Sequence, residues 1–65
     1  MRNINNDMLR RIADATGLTM SLIIQLSAFN ANSLDESVNL LEMGYDLGTE
    51  IIEQIKKDAK TYNLL

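Results

Sequence analysis

Residues 12–26 read Ile-Ala-Asp-Ala-Thr-Gly-Leu-Thr-Met-Ser-Leu-Ile-Ile-Gln-Leu. Leu9, Ile12, Ala13 and Thr16 recur at the spacing of one helix face, so the segment leading into this stretch reads as an amphipathic helix. Gly17 stops it, because glycine adopts the left-handed backbone of a helix end at little cost. Thr19 is a natural N-cap for a second helix, on which Leu22, Ile23 and Leu26 return to an apolar interior. Ala13 is small where the two helices must cross, and Leu18 points inward just after the turn. The stretch therefore predicts two short helices joined by a tight turn.

Outward from this pair the pattern stays helical. The first helix is predicted over residues 7–16, with Asn5, Asn6 or Asp7 as its cap and with Arg10, Arg11 and Asp14 outside its apolar face. The second is predicted over 20–29. Leu22, Ile23, Leu26 and Phe29 form one stripe on it, while Met20, Ile24, Ala28 and Ala31 form another. A helix apolar on so many sides is normally covered on several of them.

Residues 30–33 are expected to loop. A third helix then opens with Ser33-Leu34-Asp35-Glu36, the pattern of a capping box in which Ser33 and Glu36 satisfy free backbone N–H groups. Leu34, Val38, Leu41 and Tyr45 make its apolar face, and Gly44 is expected to end it so that Tyr45 folds back on Leu40 or Leu41. The fourth helix is predicted over 49–61, with Ile51, Ile52, Ile55, Ala59 and Tyr62 facing inward. Glu53 stands four residues before Lys57, and Lys56, Lys57 and Lys60 suit the negative end of the helix dipole. Asn63, Leu64 and Leu65 form a tail whose leucines either fray or dock. Strand patterns are absent. The expected fold is all-α, a small orthogonal bundle of four or five helices in a single domain over residues 1–65.

Composition narrows the function. The chain has 65 residues, nine acids against six bases, no cysteine and no histidine. A disulfide framework and an ordinary zinc site are excluded, and the usual nucleophile–base pairs of catalysis are missing. Glycine-rich phosphate loops are absent as well, and so short a chain rarely encloses a pocket. No enzyme, cofactor or metal is expected. The start, Met1 to Arg11, lacks the apolar core of a secretion signal, and the longest apolar run is Leu22-Ile23-Ile24. These features predict a cytoplasmic protein with no membrane partner. A core this small is marginal, which makes self-association, as a homodimer, a reasonable supplement.

The stretch from Ile12 to Leu26 resembles the helix-turn-helix of the Cro and phage-repressor family, which runs apolar-Ala-x-x-x-Gly-apolar-Ser/Thr-x-x-x-Ile-x-x-apolar. Ser33-Leu34 opening a helix, Met43-Gly44 closing it and Thr49 to Ile55 beginning another also look like that family, so the resemblance covers Leu9 to Ile55. It implies a helix-turn-helix-like regulator of gene expression, carried by phages or mobile elements. The positions it assigns to DNA are Thr19, Ser21 and Gln25 on the second helix, with Arg10 and Arg11 as phosphate contacts.

The residues depart from that family where it would read bases. Base edges call for Arg, Lys, Asn or Gln, and the outer side of the second helix offers Gln25 alone. Met20 and Ile24 stand where polar groups belong, no basic residue occurs from Gly17 to Gln54, and the net charge is −3. Three readings of the Met20, Ile24, Ala28, Ala31 stripe compete: plain core, a protein-binding surface that also takes in Gln25, and direct DNA contact. The protein-binding surface, for another regulator or a second copy, is the functional reading adopted, and a dimeric operator-binding repressor is the alternative. Arg10, Arg11 and the three lysines read most simply as solvated charge, and the acids from Asp35 to Glu53 as a solvated face or a surface for a basic partner. Met43-Gly44-Tyr45, with Thr16-Gly17, also resembles a loop and bundle of ubiquitin-associated domains, which implies an interaction module unrelated to transcription.

Overall fold

The computed structural model describes residues 4–65, and its only regular elements there are four helices: α1 (Asn6–Thr16), α2 (Met20–Ser27), α3 (Asn32–Glu42) and α4 (Thr49–Thr61). α1 packs against the other three, α4 packs against α2 and α3, and no described helix is long and apolar enough to cross a membrane.

The first two helices form where the spacing predicts them. Asn5 Oδ1 accepts from the Met8 N–H at 2.9 Å, and Thr19 Oγ1 accepts from the Leu22 N–H at 3.0 Å, so both helices begin with a satisfied cap. Gly17 ends α1 at φ 75°, and its N–H reaches the Ala13 carbonyl at 2.8 Å. Thr16 is buried although polar. Its hydroxyl donates to the Ile12 and Ala13 carbonyls and accepts from the Leu18 N–H at 3.3 Å, so the buried Thr16 hydroxyl is satisfied.

Leu9, Ile12 and Ala13 of α1 join Ile23 and Leu26 of α2, Leu34, Val38 and Leu41 of α3, and Ile51 and Ile55 of α4 in one core. Ile12, Ile23, Leu26, Leu34 and Ile55 are fully sealed from solvent. Each such side chain contributes about 1.5–3 kcal/mol on burial. Leu64 of the tail packs against this core, and Leu65 stands 60% exposed.

Three expectations are corrected. α2 ends at Ser27, and Phe29 lies in the turn that follows. α3 begins at Asn32, with Ala31 as a cap that makes no side-chain hydrogen bond, so the capping box does not form. Ala31 is drawn into the core, which starts the helix early and turns Ser33 inward within its first turn. Tyr45 does not join the apolar face of α3. Its N–H closes the helix on the Leu40 carbonyl at 2.9 Å, Gly44 takes φ 88°, and the ring is left 61% exposed. The backbone bond of the helix end is satisfied while most of the ring stays in solvent.

Candidate protein-contact surface

α2 is short and carries no charge, and no charged residue occurs from Ala15 to Leu34. Its inner side is consumed by the core through Ile23 and Leu26, with Leu22 half-buried. Its outer side is where the predicted contact residues divide. Ile24 is 51% exposed, and Gln25 and Ala28 are exposed beside it. Met20 is half-buried and packs against the core, so it is shared between interior and surface. Ala31 is 3% exposed and belongs to the interior, which removes it from the contact surface. The chain bends away from the helical path after Ser27, with Asn30 at φ 55°, and this turns Ala31 inward although helical spacing had aligned it with Ile24 and Ala28.

The predicted DNA-contacting positions are at the surface, but their polar atoms are partly engaged. Arg10 and Arg11 are exposed on α1, and Thr19, Ser21 and Gln25 are exposed around α2. Thr19 Oγ1 is held by the Leu22 N–H, and Gln25 Nε2 donates to Ser21 Oγ at 3.4 Å. What α2 presents freely is therefore a small apolar patch, Ile24 and Ala28, framed by short polar groups.

No known family model matches the chain, and neither a curated protein nor a solved structure does. The surface itself thus carries the functional argument.

Sequence reading missed the continuation of the exposed apolar surface. Phe29, placed on the inward stripe, is 46% exposed and stacks on Tyr62 with ring centroids 4.5 Å apart and planes 13° off parallel. The pairing joins the turn after α2 to the end of α4, a contact between residues distant in sequence that no local pattern announces. Met43, at the close of α3, is 64% exposed next to Tyr45. The acidic residues Glu36, Glu42, Asp46, Glu50 and Glu53 are exposed as expected, whereas Asp35 is half-buried.

Proposed function

We propose that this chain is a small, non-enzymatic, helix-turn-helix-like regulator of gene expression, of the kind carried by phages and mobile elements, and that it acts by binding another protein. The turn Gly17-Leu18-Thr19 between α1 and α2 has the length such a motif needs, and it supports the resemblance to the Cro and phage-repressor type. The observation that carries the reading is Ile24. A β-branched apolar side chain, half exposed on an uncharged helix, loses water favourably against a protein and gains little from a phosphate backbone.

Area argues about the kind of partner. A standard stable interface takes about 20–30 residues from each side. Thr19, Ser21, Ile24, Gln25, Ala28 and Phe29 are the exposed residues from Thr19 through Phe29, so α2 and its flanks alone support a small, transient contact. That favours a regulator captured reversibly over a permanent homodimer through this helix. A second reading, an interaction module of ubiquitin-associated type, is favoured by Met43 and Tyr45, which stand exposed on a turn held by Gly44.

The test is a pull-down from the source organism with wild type and Ile24→Glu side by side. Met20→Glu is the poorer probe because Met20 also packs in the core. Ile24→Glu is expected to melt like wild type and to lose the partner. A partner retained by the folded Ile24→Glu protein overturns the reading, as does salt-sensitive DNA binding that depends on Arg10 and Arg11.

A further inference from the structure

Between α3 and α4 runs an open groove of about 760 Å³. Leu40 and Ile51 give it an apolar floor, Glu36, Glu50 and Asp58 give it carboxylates, and Tyr62 closes its lining beyond the end of α4. No lysine or arginine lines it. α4 carries three lysines, Lys56, Lys57 and Lys60, and all three fall outside the lining, whereas Glu50 and Asp58 lie within it and Glu53 lies outside.

A second feature bears on what would bind there. Tyr62 is fixed by its stack on Phe29 yet stays 37% exposed. Both Asp58 oxygens are already held, by Ser33 and Gln54, so Glu36 and Glu50 are the lining acids left to attract a cation, and a rigid ring at the end of the same groove suits a guanidinium, which stacks on aromatic faces. A bare metal ion suits it less, since no three acids among the described residues group closely enough to hold one. Nucleic acid is repelled by the same carboxylates.

We propose that this groove docks a short arginine-bearing segment of a partner protein, with an apolar neighbour of the arginine packing on Leu40 and Ile51. The occupant follows from charge complementarity: acidic walls, an apolar floor and an aromatic end match a basic amphipathic peptide. Ile24 does not line the groove, so a change at Ile24 separates this docking from the contact proposed for α2.

The probe is a fluorescein-labelled hexapeptide of alternating leucine and arginine, read by anisotropy at moderate salt. Glu36→Gln with Glu50→Gln is compared with Asp46→Asn with Glu53→Gln, a pair that removes the same charge from exposed positions outside the groove. The groove pair is expected to weaken the peptide about fivefold, the value of two partly exposed ion pairs, and the control pair less than about twofold. Ile24→Glu is expected to leave the affinity unchanged. Equal weakening by the two pairs means a general attraction to an acidic protein and overturns the proposal, as does the absence of measurable binding by wild type. If Ile24→Glu abolishes the binding, the peptide sits on α2 and the groove assignment fails.

Discussion

Ser33 Oγ donates to Asp58 Oδ2 at 2.6 Å, across 25 positions of sequence. The bond fastens the first turn of α3 to the last part of α4. α3 has no side-chain cap of its own, and Asp58 brings a negative charge to the end of the helix where backbone N–H groups are free. Gln54 Nε2 holds the other oxygen at 3.0 Å, one turn earlier on α4. Ser37 Oγ, also buried, donates to the Ser33 carbonyl at 2.7 Å, so both buried serines of α3 have partners, whereas Asp35 Oδ1 between them is buried without one.

Removing the carboxylate should therefore be costly. Asp58→Ala is expected to destabilise the fold by about 1–3 kcal/mol, because the buried Ser33 hydroxyl loses a charged partner. Urea denaturation of Asp58→Ala, Ser33→Ala and the double variant checks it. Additive losses would show that the two residues are not coupled.

Ile23 and Ile24 are neighbours in sequence with opposite fates. Ile23 is fully buried and Ile24 is 51% exposed. Ile23→Ala should cost about 2–5 kcal/mol, a large share of what a domain this size has. Ile24→Ala should stay within about 0.5 kcal/mol. Thermal melting of the two single variants decides it, and a comparable loss in both would mean that Ile24 is covered in solution.

Gly17 takes φ 75°, and a methyl group placed there would meet nothing within 4 Å beyond its own chain neighbours. The penalty for Gly17→Ala is thus one of backbone alone, about 1–2 kcal/mol. Gly17→Asn should recover part of it, because asparagine tolerates the left-handed region. Chemical denaturation of both variants gives the comparison, and equal stabilities would contradict it.

The Phe29–Tyr62 stack is partly solvated, so its worth is modest. A double-mutant cycle with Phe29→Leu and Tyr62→Leu should give a coupling near the lower end of about 0.5–1.5 kcal/mol. Zero coupling would mean that the two rings do not stack in solution.

If α2 works by protein contact, DNA should be held weakly. No duplex is expected to be retarded at about 0.15 M salt, since six basic residues scattered on a chain of net charge −3 neutralise few phosphates. A sequence-specific retarded band that disappears in Arg10→Ala with Arg11→Ala would favour operator binding instead.

Periodicity determined most of the framework by itself. The buried set of α1, namely Leu9, Ile12, Ala13 and Thr16, follows directly from spacing, as do the stops at Gly17 and Gly44 and the cap at Thr19, because these depend on residues within one turn of each other. Tertiary structure decided the rest. Ser33 looked like a local cap and became a link to Asp58. Ala31 left the outer stripe of α2 for the core, while Phe29 left the inner stripe for the surface. Local sequence states which side of a helix is apolar. Which apolar residues are covered, and which polar ones find partners, depends on helices that arrive from elsewhere in the chain and exclude water only after they pack.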